Sequence, residues 1–356
     1  MRPAQVVIDL SALRHNYRIA RSLSRGGALA VIKADAYGHG AVDCAAALAT
    51  EADGFAVACI EEALELRQTG IHLPILLLEG FFHAGELPLC ADQDLWLVIH
   101  SSWQLEQLEA AELTKPLNCW LKLDSGMHRA GFSAYEYPQA WQRLRACRNV
   151  ADIVMMTHLA RADELDCEAS LQQLGLFDRA TRDLEGLRSL SNSAAVMGWP
   201  QMNSDWTRPG IMLYGSSPLP QGHAVGRLLQ PVMSLESEII AIRELAPGEA
   251  VGYGGTFVTR RPSRIGVVAM GYADGYPRHA ANGTPVLVDG QQAALAGRVS
   301  MDMLTIDLTT LPQAQVGSKV ELWGKGLSVD RVAGHADTIA YTLLTGVKRV
   351  RRISHF

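Results

Sequence analysis

The stretch LAVIKADAYGHG, residues 29–40, opens with an apolar run of strand type, Leu29 to Ile32, and stops on Lys33. Lysine is among the least buried residue types, so a buried strand that ends on one asks for a reason. Similar runs recur along the chain: ALAVIK (28–33), GFAVACI (54–60), PILLLEG (74–80), LWLVIH (95–100), LNCWLKLD (117–124), DIVMMTH (152–158), LRSLSNS (187–193) and GIMLYG (210–215). Continuous apolar runs are the signature of parallel strands covered by helices on both faces. Segments of helical texture lie between them, including EEALELRQTG and SSWQLEQLEAAE, the latter with Ser101 or Ser102 as N-cap. Eight strands alternating with helices is the count of a (β/α)8 barrel. A doubly wound open sheet is the competing arrangement.

After residue 230 the texture changes to short runs broken by turn signals, as in PGEAVGYGG, NGTPVLVDGQQ and VGSKVELWGKG. These predict an all-β module. The seam falls in the Pro-, Gly- and Ser-rich segment 216–231. The earliest strand candidate, QVVIDLS (5–11), precedes the eight and stands outside their count.

The composition is that of a globular protein, with 48% hydrophobic and 19% charged residues among 356. A net charge of −5 makes no electrostatic case for nucleic acid. The basic cluster Lys348, Arg349, Arg351 and Arg352 is broken by Val350 and reads as a solvated terminal strand. No apolar run approaches the roughly 20 residues of a membrane span, and the start MRPAQVVIDL lacks a signal-peptide core. Cys44, Cys59, Cys90, Cys119, Cys147 and Cys167 are scattered, as free thiols in a reducing cytoplasm would be. The expectation is a cytoplasmic protein that binds neither membrane nor nucleic acid.

A barrel makes a sharp demand on the reactive residues: they should collect at the C-terminal ends of its strands. Lys33 closes the first run, Lys122 and Asp124 the fifth with Arg129 close behind, His158 the sixth, and Asn192 with Ser193 the seventh. Lys33 has two readings. It is a lysine snorkelling at a strand end, or an amine that desolvation makes nucleophilic toward an aldehyde or carbonyl. Ser193 and the glycine opening the eighth run, Gly210, fall where this barrel class holds phosphate. A lysine at the first strand and an anion cradle at the last suggest a phosphorylated aldehyde, pyridoxal 5'-phosphate (PLP). In the β module, AVGYGGTF (250–257) lacks the spacing of a phosphate loop, and Tyr253 stands out among its turn glycines.

With these residues in place the chain resembles the PLP-dependent alanine racemases over essentially its whole length. The matching motifs, in the family's order, are AVIKADAYGHG, KLDSGMHRAG, NSAA, RPGIMLYG, GYGGTF, GYADGYPR, GRVSMDM and TIAYTLLTG. The resemblance implies an α/β fold class: an N-terminal (β/α)8 TIM-type barrel over residues 11–228, followed by a C-terminal all-β domain of 229–356 that residues 1–10 join. It implies a homodimer with shared active sites, in which one copy's β domain completes the other's, and the interconversion of L- and D-alanine.

By that resemblance Lys33 carries PLP as a Schiff base and serves one face of the substrate, while Tyr253 of the other copy serves the opposite face. A hydrogen-bonded line Tyr253–His158–Arg208 would lend the phenol cationic help, and Arg208 would face the pyridine nitrogen. Tyr37, Ser193, Gly210, Ile211 and Tyr341 match the phosphate contacts, with Val31, Leu78 and Asn192 also around the cofactor. Arg129 would meet the cofactor's phenolic oxygen and the substrate. Met301 and Asp302 would receive the substrate carboxylate, Tyr272 would stand at the entrance, and Lys122 occupies a position that carries a carbamate in many members. No metal is implied. A barrel-fold PLP amino-acid decarboxylase is disfavoured by the arginine at the pyridine position, where those enzymes use glutamate. A non-catalytic PLP-binding protein or a Schiff-base aldolase on the same barrel would not need the second domain with Tyr253.

Overall fold

The computed structural model describes residues 2–356. Strand β1 (Gln5–Asp9) leads into the helix Leu10–Leu23, which Asp9 caps by accepting the Ala12 N–H at 2.9 Å. Eight parallel strands follow: β2 (Gly27–Val31), β3 (Gly54–Val57), β4 (Ile75–Leu77), β5 (Leu95–Ile99), β6 (Leu117–Lys122), β7 (Val150–Met156), β8 (Leu187–Ser189) and β9 (Trp206–Thr207). They pair in sequence from β2 to β8, and β9 pairs with β2. Between β8 and β9 the ring is closed by the Arg208 N–H donating to the Ser191 carbonyl and the Ser189 hydroxyl donating to the Trp206 carbonyl, both at 2.9 Å.

Three tryptophans show that the ring is filled as well as closed. Trp96 on β5, Trp120 on β6 and Trp206 on β9 pack with ring centroids 5.5–6.2 Å apart. Strands β5 and β9 lie on opposite sides of the ring, so these side chains meet only through its interior. Trp96 and Trp206 sit near the N-terminal ends of their strands. Gly27 makes room there, since a Cβ would lie 2.3 Å from the Trp206 ring. With one end plugged, the usable cavity is at the other, where the strands end.

The second domain is built on β10 (Met233–Leu245). Its first half pairs antiparallel with Lys319–Trp323 and its second half with Ser263–Val268. The strands Leu304–Asp307, Gln291–Leu295 and Pro285–Val288 complete a six-stranded ring. Strand β1 pairs antiparallel with β10 and parallel with Arg351–His355, so the first strand belongs to this sheet and not to the barrel. The basic cluster ends in that terminal strand, which is largely exposed. All six cysteines are free. Among the described residues, no helix is long and apolar enough to cross a membrane and no group of side chains could hold a metal ion.

One strand assignment is corrected. The run 210–215 is not the eighth strand: Ile211–Tyr214 is a 3-10 turn, and the strand is the short pair Trp206–Thr207. Pro209 offers no N–H to extend that strand. The N–H groups of Gly210 and Met212 are committed instead to the Ser193 hydroxyl oxygen, at 2.8 and 3.3 Å. The run is apolar because it is buried, not because it is extended.

Candidate active site

A cavity of about 820 Å³ opens at the C-terminal end of the barrel. It gathers residues from all around the ring: Val31 at the end of β2 with Lys33 and Tyr37 after it, Leu78 after β4, Lys122 and Arg129 from β6 and its loop, and His158 after β7. Asn192 and Ser193 after β8, Arg208, Gly210 and Ile211 after β9, and Tyr341 of the second domain complete the expected set. Four residues named from the sequence, Tyr253, Tyr272, Met301 and Asp302, do not line it. Tyr253 and Met301 are among the exposed large hydrophobic residues.

The backbone after Lys33 is unusual. Ala34, Asp35, Ala36 and Tyr37 all have φ of 52–53°, a full left-handed turn without a glycine. Each such residue costs roughly 1–2 kcal/mol against the right-handed form, so neighbours must hold it. Glu62 accepts the Ala34 N–H at 2.6 Å, and Asp35 accepts the Ala41 N–H at 2.8 Å while pairing with Arg352. His39 reinforces the turn. Its Nδ1 lies 2.9 Å from the Ala36 carbonyl and 3.0 Å from that of Tyr37, so Nδ1 carries the hydrogen and donates. Burial pushes this imidazole down to about 4, which keeps it neutral. Tyr37 stacks on Tyr214 at 4.8 Å, and Tyr214 stacks on His39 at 4.4 Å.

At the far side of the mouth, Asp124 organises the loop that carries Arg129. One of its oxygens accepts the N–H groups of Gly126, Met127 and His128 at 2.9–3.1 Å. The Phe132 N–H then donates to the Lys122 carbonyl at 2.9 Å, returning the loop to β6.

Arg208 is buried on the cavity wall. Its guanidinium donates to the Ser189 hydroxyl, to the Thr157 carbonyl at 2.7 Å and to the Leu190 carbonyl at 3.3 Å. Burial brings it down to about 10, which leaves it a cation at neutral pH. His158 Nδ1 faces it at 3.5 Å. Burial first, then the charges of Arg208, Lys122, Arg129 and Lys33, hold His158 well below the ordinary imidazole range. Because Arg208 can only donate, the neutral ring accepts at Nδ1 and carries its hydrogen on Nε2. Lys122 is brought down to about 8 by burial and by Arg129 and Arg208, so a fraction of it is free amine at neutral pH.

The charge balance of the cavity is one-sided. Lys33, Lys122, Arg129 and Arg208 face it, and Glu79 is the one carboxylate on its wall. Such a wall selects an anion. Next to Ser193, Gly210 leaves the floor open: a Cβ there would stand 2.6 Å from the Tyr37 hydroxyl. Burial pushes the Tyr37 and Tyr341 phenols up, Tyr341 to about 12, so both are neutral donors at working pH. Hydroxyl donors, open backbone and surrounding cations fit a phosphate, and the nearby lysine fits an aldehyde.

Sequence reasoning singled out neither His100 nor Glu79. His100 and Glu79 line the cavity, with His100 Nε2 3.1 Å from the Glu79 carbonyl oxygen. Both close apolar runs, and the strand-end rule that found Lys33 also points to them. His39 reads from the sequence as part of the Gly-His-Gly turn, and it lies there, on the Ala36 and Tyr37 carbonyls and outside the cavity lining.

Two family models match the chain: the alanine racemase N-terminal domain over residues 8–218 and the alanine racemase C-terminal domain over 232–354. A catabolic alanine racemase of Pseudomonas putida is 62% identical over 352 residues, 99% of each chain. The crystal structure of a biosynthetic alanine racemase from Pseudomonas aeruginosa superposes with a TM-score of 0.97 at 52% identity, covering 100% of both chains. That of the alanine racemase from Bartonella henselae, with covalently bound pyridoxal phosphate, gives 0.91 at 30% identity and also covers 100% of both. The cavity, the two domains and these full-length matches lead to one conclusion: the chain belongs to the alanine racemase family.

Proposed function

We propose that the protein interconverts L- and D-alanine using PLP held in the barrel cavity, with each site completed by the second domain of another copy. The observation that carries the reading is the cationic cavity in which Lys33, the Ser193–Gly210 floor and the Arg208–His158 pair converge. Bound PLP supplies an aldehyde that captures an amine and a ring that draws electrons from the α-carbon.

Lys33 would hold the cofactor's aldehyde through its Nζ, and the same amine, when free, would take the α-proton from one face or return it there. Inversion requires the proton to arrive on the opposite face, which no group of the same lysine can reach. Tyr253 of the second copy serves that face: it is exposed on its own chain, and the Nε2–H of His158, backed by Arg208 at Nδ1, is free in the cavity to donate to its phenol oxygen. Arg208, which keeps its proton at working pH, would offer a ring nitrogen a hydrogen bond without protonating it. That would weaken the ring's draw on electrons and favour return of the proton to the α-carbon over side reactions.

Tyr37, Ser193, Tyr341 and the Ile211 backbone would hold the phosphate in the space that Gly210 leaves open, and Val31, Leu78 and Asn192 shape the walls. Arg129 meets the cofactor's phenolic oxygen and the substrate. Met301, Asp302 and Tyr272 of the second copy face the substrate's carboxylate and the entrance. Neutral Lys122 amine can add to carbon dioxide and lose a proton, and the resulting carbamate would turn its repulsion of Arg129 into an ion pair. Free thiols throughout fit a cytoplasmic setting.

The test is chemical. The purified protein should be yellow, should equilibrate either alanine enantiomer, and should hold the cofactor on the peptide containing residue 33 after borohydride reduction. Label on another lysine, or carbon dioxide release from alanine in place of racemisation, would overturn the reading.

A further inference from the structure

Three of the residues assigned to the partner's site, Tyr272, Met301 and Asp302, lie on loops that share one buried anchor. Asp274 is fully buried, and its carboxylate is gripped at both oxygens by the guanidinium of Arg2. The Oδ2 atom also accepts the Gly271 N–H at 2.9 Å. From this hub the two substrate-facing loops are tied together. The Tyr272 N–H donates to the Ser300 carbonyl and the Ala273 N–H to the Met301 carbonyl, both at 3.0 Å. Gly271 is pressed so closely on the second loop that a Cβ would meet the Met301 carbonyl at 2.2 Å. The Arg2 guanidinium reaches that loop too, donating to the Asp302 carbonyl at 3.1 Å. All three of its hydrogen bonds therefore end on these loops. A third segment joins at the Asp274 carbonyl, which accepts the Lys348 N–H at 2.9 Å, and Arg349 pairs with Asp302 at 3.0 Å.

A buried carboxylate that loses its only guanidinium must find water or move. Moving Asp274 would move Gly271 and the two hydrogen bonds behind it. We propose that Arg2, near the start of the chain, is a positioning residue for substrate: through Asp274 it fixes the loops bearing Tyr272, Met301 and Asp302 that are presented to the other copy's cavity. The inference rests on the shared-site reading above. It adds that the chain's N-terminus sets substrate affinity in a cavity that is not its own.

The experiment compares wild type with Arg2→Ala and with Arg2→Lys, which keeps the charge but loses the two-pronged grip. Arg2→Ala should raise the KM for alanine on the order of tenfold with kcat nearly unchanged. Because the two enantiomers have equal free energies, kcat/KM must fall equally for both. Arg2→Lys should give a smaller rise, and it carries the test if Arg2→Ala does not fold. Amide hydrogen exchange at Tyr272 and Ala273 should quicken, while exchange in the strands lining the cavity and the bound-cofactor absorbance stay the same. In a mixed dimer of Arg2→Ala and Lys33→Ala chains, the single working cavity faces loops with Arg2 intact, so its KM should be that of wild type.

An unchanged KM, a loss confined to kcat, or a raised KM in that mixed dimer would overturn the proposal. So would unchanged exchange at Tyr272 and Ala273, which is read without any turnover. Wild-type protein that fails to racemise alanine would instead remove the reading beneath it, leaving the exchange result to decide whether Arg2 positions the loops.

Discussion

Arg208 Nη2 lies 3.5 Å from His158 Nδ1, a buried cation facing a neutral imidazole. The guanidinium is satisfied by Ser189 and by the carbonyls of Thr157 and Leu190, so its charge is held by dipoles and not by a carboxylate. The arrangement fixes both the protonation state and the tautomer of His158. It leaves the ring with one defined free donor, its Nε2–H, to present to the cavity.

The buried imidazoles give the fold a specific acid sensitivity. His158 and His39 both sit below the ordinary value, His39 at about 4. Above about pH 6.5 each is neutral folded or unfolded and contributes no pH dependence. As pH falls through that value the unfolded chain takes up protons that the folded chain refuses, so stability drops by about 1.4 kcal/mol per pH unit for each ring. Denaturant midpoints measured from pH 7 to 5 should fall accordingly, and His39→Gln should flatten the slope. A slope that His39→Gln leaves unaltered would contradict the assignment.

Shared sites predict recovery by mixing. Lys33→Ala and Tyr253→Ala homodimers should each be inactive. After subunit exchange, each mixed dimer would contain one cavity with Lys33 intact, completed by a chain with Tyr253 intact. At equal proportions about half the dimers are mixed, each with one working site of two, so activity should return to about a quarter of wild type. Exchange verified by mass, with no recovered activity, would place both groups in one chain.

Gly210→Ala tests the phosphate floor. The added Cβ would stand 2.6 Å from the Tyr37 hydroxyl and 3.7 Å from the Val31 Cβ. The overpacking cost is about 1–3 kcal/mol. Cofactor titration of the apoprotein should show affinity weakened by about tenfold or more, with far-ultraviolet circular dichroism unchanged. Unaltered affinity would mean that the phosphate is held elsewhere.

The left-handed turn predicts opposite behaviour for two substitutions at Ala34, whose side chain is exposed and whose φ is 53°. Glycine accepts that conformation freely, so Ala34→Gly should change stability little. A β-branched side chain does not, and Ala34→Val should lower unfolding free energy by about 2 kcal/mol. Cofactor binding should weaken alongside, because Lys33 and Tyr37 lie at the two ends of the turn. Equal effects of the two substitutions would mean that the turn is not strained.

The repeated apolar runs were enough to read a barrel, because burial on both faces of a parallel sheet leaves a local imprint in every strand. The polar residues closing those runs pointed to one face of that barrel, and the cavity contains Lys33, Lys122, His158, Asn192 and Ser193 together. The same rule, applied to LWLVIH and PILLLEG, would also have found His100 and Glu79. The eighth strand escaped because Trp206–Thr207 is two residues long, while the neighbouring buried turn Ile211–Tyr214 carries the same apolar signature. Burial is written in residue type; extension is not.

By itself, the sequence determined which residues are apolar, in what order the strands and helices follow, and which reactive groups end the strands. Only the tertiary structure decided that ADAY forms a left-handed turn, that Arg208 faces a neutral His158, and that Arg2 grips Asp274. Each of these depends on partners distant in the chain: Glu62 and Arg352 around the turn, Ser189 and Thr157 around the guanidinium, and 272 positions of separation between Arg2 and its carboxylate. Local patterns record how much of a residue is buried. Which polar group meets it there is settled only when the chain closes on itself.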